Sequence, residues 1–154
     1  MNDHSQAGAQ RQRLLYLLKR GYTAGKVELD EIVRQHGLTA SDFTILSFLK
    51  RLEPCSAADL ARAQRVTPQA ATQQVAQLKE KKLIRTETSE INRRISLISI
   101  TPEGHERLAE VITQTRRLES EMMAGLEEQE RTMLLDLLAR LVASMEGRGQ
   151  ANGS

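Results

Sequence analysis

Two helix starts stand close together in the middle of the chain, and they limit its folding more than any other feature. Ser56-Ala57-Ala58-Asp59 offers a hydroxyl that can cap a free backbone N–H, with an acid three residues on. Thr67-Pro68 offers a second cap, followed by proline at the first helical position, where its missing N–H removes no bond. The first helix can last only to about Gln64, so a turn of about three residues separates the two. A helix-turn-helix fits this spacing, as does any tight helical hairpin.

The second helix has two unlike faces. On a wheel of ~100° per residue, Ala71, Val75 and Leu78 fall within a ~60° arc and form the face to be buried. Gln69, Gln73 and Gln77 line up opposite, with Ala70 and Ala76 beside them. A glutamine amide can pair with the N6 and N7 edge of adenine, and small neighbours allow approach to thymine methyls. Glutamine also decorates many exposed helix faces for its helix propensity alone.

The residues from Lys79 to Ile100 narrow the choice. Lys79, Lys81 and Lys82 form a basic cluster at the helix end. Leu83 to Glu87 reads as a strand, Thr88 to Asn92 as a polar turn, and Arg93 to Ile100 as a returning strand. A hairpin after a helix-turn-helix is a wing, and Arg93 and Arg94 lie at its tip or just past it. There they can reach phosphates or a narrow minor groove, where negative potential is focused. Charge is distributed accordingly. Residues 57–100 carry eight basic side chains against four acids, whereas residues 101–146 carry five against ten.

The flanks are helical. Leu14, Leu18, Tyr22, Gly25, Leu29 and Ile32 recur on one helix face, and Gly37 ends that element. Thr39 or Ser41 caps the next helix, with Asp42 in its first turn, Phe43, Leu46 and Leu49 inward, and Pro54 as its stop. Thr101-Pro102-Glu103 opens a long helix that breaks near Gly125. Met133, Leu134, Leu137, Leu138, Leu141, Val142 and Met145 then make a wide apolar stripe. Aromatics are only 3% of the 154 residues, so burial rests on Leu, Ile, Val, Ala and Met, which long helices often complete in a dimer.

The longest apolar runs fall far short of the roughly 20 residues a bilayer span needs. Met1 to Gln10 is polar and unlike a signal peptide, and the single cysteine, Cys55, suits a reducing compartment, so a cytoplasmic protein without membrane association is expected. His4, His36 and His105 are scattered, with no metal-ligand spacing and no Gly-rich phosphate loop. Neither an enzyme nor a cofactor or metal site is expected.

Over nearly its whole length the chain resembles the MarR family of bacterial transcription regulators. The resemblance rests on Leu38-Thr39 leading into Phe43 to Leu49, on Ala58-Asp59-Leu60-Ala61, and on Val66-Thr67-Pro68 with the helix to Leu78. It continues in Lys81-Lys82-Leu83-Ile84-Arg85, Asn92-Arg93-Arg94 and Ile100-Thr101-Pro102-Glu103-Gly104. The family implies a mainly α fold with a small β-hairpin wing: a winged helix-turn-helix (38–101) between dimerisation helices (10–36 and 102–146), with flexible tails at 1–9 and 147–154. It implies a homodimer on a pseudo-palindromic duplex operator, with half-sites about one helical turn apart.

By the same resemblance Thr67, Gln69, Ala70, Thr72, Gln73 and Gln77 fall where recognition helices meet DNA, joined by Lys81 and Arg93, and Arg94 is the minor-groove arginine. Asn92 stands where the family usually has Asp, Gln73 where a basic residue is common, and Lys82 where Gly is common. Asn92 is then the support of the wing. Many members release DNA when a small aromatic or anionic compound binds, which implicates Tyr16, Tyr22, Arg20, Phe43 and Phe48. The implied function is a repressor released by such an effector.

Two alternatives stay open. Some relatives sense oxidants through a cysteine, and the helix after Cys55 can lower its pKa toward the thiolate. Winged-helix dimers can also lose DNA binding and serve protein–protein contact, although such a module has no need of an arginine-tipped wing.

Overall fold

A computed structural model describes residues 13–151. Within them lie α1 (Leu14–Gln35), α2 (Ala40–Leu52), β1 (Cys55–Ser56), α3 (Ala57–Gln64), α4 (Pro68–Glu80), β2 (Ile84–Thr88), β3 (Ser96–Ile100), α5 (Pro102–Met122) and α6 (Glu128–Ala151). They form two compact units, one up to Leu118 and one from Glu119. The expected tail at 1–9 lies outside the described residues. Of the other expected tail, 147–154, the described residues belong to α6, which runs to Ala151.

Capping chemistry sets the helix starts. Thr39 Oγ1 accepts from the Asp42 N–H at 3.1 Å while the Asp42 carboxylate accepts from the Thr39 N–H at 2.8 Å, so Thr39 rather than Ser41 caps α2. Ser56 and Asp59 repeat this reciprocal pair at α3, and Thr67 caps α4 by accepting from the Ala70 N–H. Between α3 and α4, Arg65 adopts the left-handed conformation at φ 57°, and the Val66 N–H closes on the Ala61 carbonyl at 3.1 Å. That tight reversal turns α4 across α3.

The core of the first unit joins Val33 of α1, Ile45, Leu46 and Leu49 of α2, Leu60 of α3 and Leu78 of α4 to Leu83, Ile84, Ile98 and Ile100 around the sheet. Leu108 and Val111 complete it. The first half of α5 therefore shares the core of the winged helix, although the family resemblance assigns residues from 102 onward to the dimerisation region. His36 ties this corner together, its Nδ1 lying 3.0 Å from the Glu110 carboxylate and its Nε2 2.7 Å from the Gln114 amide.

The sheet has three antiparallel strands in the order β1-β3-β2. The third strand, β1, is invisible in the sequence: two residues, pairing Cys55 with Ile98 and Ser56 with Leu97, carry no alternating pattern. The returning strand also starts later than expected, at Ser96 rather than Arg93. The reason is local. Asn92 Oδ1 accepts from the Arg94 N–H at 3.0 Å, and its carbonyl accepts from the Ile95 N–H at 2.9 Å, so those donors are spent inside the turn.

Lys82 occupies a left-handed position at φ 60° between α4 and β2, which explains why glycine is usual there. A β-carbon is disfavoured in this region by roughly 1–2 kcal/mol, partly offset by the greater unfolded-state entropy of glycine. Lys82→Gly should therefore raise stability by about 0.5–1 kcal/mol, read as a higher urea midpoint at unchanged slope. A lower midpoint would show that the exposed lysine stem makes a compensating contact.

The second unit holds the end of α5 and α6. The turn between them is closed by the Arg131 guanidinium donating to the Leu126 carbonyl at 2.9 Å, and it contains Gly125, the expected break. On α6, Met133, Leu134, Leu135, Leu137, Val142 and Met145 are exposed in the single chain.

Candidate nucleic-acid interface

The helix after the tight reversal presents the face the wheel predicts. Ala71 and Leu78 are fully buried and Val75 is half-buried, while Gln69, Thr72, Gln73, Ala76 and Gln77 are exposed and Ala70 partly so. The Thr67 hydroxyl is engaged as the cap, and the Thr72 hydroxyl donates to the Pro68 carbonyl at 2.9 Å. The side of the helix is fixed by Gln74, whose amide oxygen accepts from Gln64 of α3 at 3.3 Å. The three outward glutamines lie on the face opposite the buried Ala71 and Leu78.

The wing loop, residues 89–95, carries Asn92, Arg93 and Arg94, all exposed. It is braced rather than loose. The Ser89 N–H donates to the Ile95 carbonyl at 2.9 Å, and Ser89, itself buried, accepts from the Asn92 N–H through its hydroxyl at 3.3 Å. Asn92 supports the wing through the backbone, not by gripping a guanidinium, so its neutral amide performs this task without a carboxylate. Among the described residues neither Arg93 nor Arg94 has a carboxylate partner, whereas Arg62 pairs with Asp59 and Arg85 with Glu87.

The lysine cluster divides. Lys79 donates to the Thr86 hydroxyl at 3.0 Å, and Lys81 and Lys82 are both exposed, Lys81 with its ammonium engaged by a carboxylate. The Lys81 ammonium lies 2.5 Å from Asp42, whose side chain is 4% exposed. Lys81 therefore stands at the surface near the expected DNA-facing groups with its charge shared by a buried carboxylate. The acid at the start of α2 is visible in the sequence as a helix-start residue, but nothing local shows a partner so distant along the chain.

Cys55 is buried, and burial pushes its thiol pKa up, with the Asp59 and Glu53 carboxylates adding to the shift. This direction is opposite to the lowering expected from the α3 N-terminus. The candidate effector residues separate into two groups. Tyr16 and Arg20 share an open groove on α1 with Lys19, Thr23 and Ala24, the Arg20 guanidinium 5.8 Å from the Tyr16 ring centre. Tyr22 is exposed on the same helix, while Phe43 and Phe48 of α2 pack half-buried against the core, Arg51 lying 5.2 Å over the Phe48 ring.

Among the described residues no cluster of His, Cys, Asp or Glu could hold a metal ion, and no helix is long and apolar enough to cross a membrane.

The chain is similar to known proteins in sequence and in fold. The MarR family model matches residues 36–95. The putative transcriptional regulatory protein for the hcr operon of Thauera aromatica is 30% identical over 135 residues, 87% of this chain and 81% of that protein. The uncharacterized HTH-type transcriptional regulator YdgJ of Bacillus subtilis is 29% identical over 105 residues, 68% of this chain; the match spans 64% of YdgJ's own length. Among solved structures, Bordetella bronchiseptica BpsR, whose DNA binding is regulated by 6-hydroxynicotinic acid, superposes with a TM-score of 0.72 at 23% identity, covering 86% of this chain and 95% of BpsR. An S. aureus MepR variant bound to an oligodeoxyribonucleotide gives 0.62 at 20% identity, covering 86% and 98%.

Proposed function

Because the chain belongs to the MarR family of winged helix-turn-helix transcriptional regulators, a non-enzymatic family, we propose that it binds duplex DNA sequence-specifically as a cytoplasmic homodimer and represses transcription. The observation that carries this reading is the exposed row of Gln69, Gln73 and Gln77 on α4 beside a braced wing that bears Arg93 and Arg94. Thr67, Ala70 and Thr72 flank the glutamine row and complete the base-facing surface. Arg93 and Arg94 supply the contacts to phosphates and the minor groove, and Asn92 holds the turn that carries them.

Dimerisation rests on α1 and α6. Leu14, Leu15, Tyr16 and Leu17 of α1 and the apolar residues of α6 are exposed in one chain, more than a solitary protein of this size usually leaves uncovered. Residues 38–101 then read DNA and the terminal helices, within 10–36 and 102–146, hold two readers at a fixed spacing. A small aromatic or anionic effector is supported by the groove where Tyr16 and Arg20 meet, an aromatic ring beside a guanidinium, and by the regulation of BpsR by 6-hydroxynicotinic acid. Release by oxidation of Cys55 has less support, since the thiol is buried and its pKa raised.

Selection of duplexes from a random-sequence library tests the reading. Enrichment of a two-fold-related sequence, with log affinity falling in log salt by about 0.9 per phosphate contacted, is expected. Absence of duplex binding at low salt points instead to a protein-interaction module. Gln73→Ala should lower affinity by about 1–3 kcal/mol and relax preference at one base position. An equal loss on every sequence means Gln73 does not face a base.

A further inference from the structure

We infer that Lys81 is a positioning residue: its ion pair with buried Asp42 fixes the C-terminal end of the recognition helix α4, so that Lys81 contributes to sequence reading without touching DNA. This rests on the reading of α4 as the DNA-facing helix.

Packing alone holds α4 thinly. Of its 13 residues Ala71 and Leu78 are fully buried and Val75 packs half-buried on the core, and the last two residues, Lys79 and Glu80, are exposed. A helix with so narrow an apolar stripe can roll on its neighbours, and the glutamine row would roll with it. Polar ties resist that motion. The Gln64–Gln74 amide pair acts at mid-helix and the Lys79–Thr86 bond reaches the adjacent strand. The charged tie from this helix end to another helix is Lys81 to Asp42, which spans 39 residues of sequence at 2.5 Å.

The carboxylate is built for this partner. Asp42 is 3% exposed and already accepts from the Thr39 N–H at 2.8 Å, which fixes its rotamer in the capping box of α2. A buried carboxylate needs charge compensation, and among the described residues Lys81 is the cation paired with it. From the lysine side, the N-terminal end of α2 carries a positive partial charge that repels an ammonium. Lys81 therefore stays there only because Asp42 reverses the local sign. Drawing it away to a phosphate would leave the buried Asp42 with the Thr39 N–H and no charged partner, so the ammonium remains on the protein when DNA binds.

The test uses the full-length protein, a duplex selected by the wild type from a random-sequence library, and unselected random duplex. Lys81→Met keeps most of the stem and removes the charge. It is expected to weaken the selected duplex about tenfold, to leave random duplex unchanged, and to leave the salt slope unchanged, since no phosphate contact is lost. Asp42→Asn should produce the same selective loss, and combining the two should add little to either alone. Active fraction from stoichiometric titration corrects for any unfolded protein, and if Asp42→Asn does not fold, Lys81→Met decides by itself. Equal losses on both duplexes with a slope shallower by about 0.9 would overturn the assignment in favour of a direct phosphate contact. No effect on either duplex would overturn it as well. Failure of the wild type to bind any duplex instead removes the underlying reading of α4, and the proposal with it.

Discussion

Replacing Gly104 with alanine is expected to lower the melting temperature by about 10 °C, a large loss for one added methyl. A β-carbon at this position would lie 2.2 Å from the Leu83 carbonyl oxygen and 2.7 Å from Ile100 Cγ2. Neither neighbour is the free end of a flexible side chain. The carbonyl is already fixed by the Thr101 N–H at 3.0 Å, and the Thr101 hydroxyl donates to the Lys82 carbonyl at 2.8 Å. To admit the methyl, the start of α5 must lift from the base of the wing. Overpacking of this kind costs about 1–3 kcal/mol, and each strained backbone bond adds roughly 1 kcal/mol, giving a loss of about 3–5 kcal/mol. Calorimetry or thermal circular dichroism measures it directly. A variant that melts within about 2 °C of wild type would mean that α5 can shift without disturbing the sheet. The same substitution at Gly21 or Gly125 meets no atom within 4 Å and serves as a control.

The second large effect concerns affinity. Arg94→Ala should weaken duplex binding by about 1–3 kcal/mol and make the salt slope shallower by about 0.9, with the greatest loss where A/T-rich flanks narrow the minor groove. The turn should survive the change, because Asn92 grips the Arg94 backbone N–H and not the guanidinium. Arg85→Ala provides the contrast: that side chain lies 3.3 Å from Glu87, so its charge is already compensated and little affinity should be lost. Equal losses at Arg85 and Arg94 would indicate nonspecific attraction to the basic middle of the chain rather than insertion of the wing.

Much of the fold is legible in the sequence because its signals are local. Helix starts at Ser56, Thr67 and Thr101 arise from a hydroxyl placed before a helical run and appear where expected, while for α2 the structure chooses Thr39 from the two candidates Thr39 and Ser41. The buried face of α4 comes from the spacing of Ala71, Val75 and Leu78 alone. The features that escape are non-local or too short to have a period. Strand β1 exists only because Cys55 and Ser56 are carried alongside β3 by the packing of α2 and α3. Arg93 and Arg94 are expected to begin a strand, yet the Asn92 turn takes their place in the pairing.

The two helix starts at Ser56 and Thr67, with the arginine-bearing hairpin after them, mark out the reading head from sequence alone. Their chemistry is carried by neighbours within three or four residues, which any chain with these side chains would share. Tertiary structure alone decided where the lysines go. Lys81 has no local ion-pair partner; it gains one because folding brings a carboxylate from the start of α2 beside it and buries that carboxylate. The same holds for Cys55, whose pKa is raised by burial and by the Asp59 and Glu53 carboxylates that the fold sets near it. Charge, once buried, answers to whatever the fold places within a few ångströms, and sequence order does not record that distance.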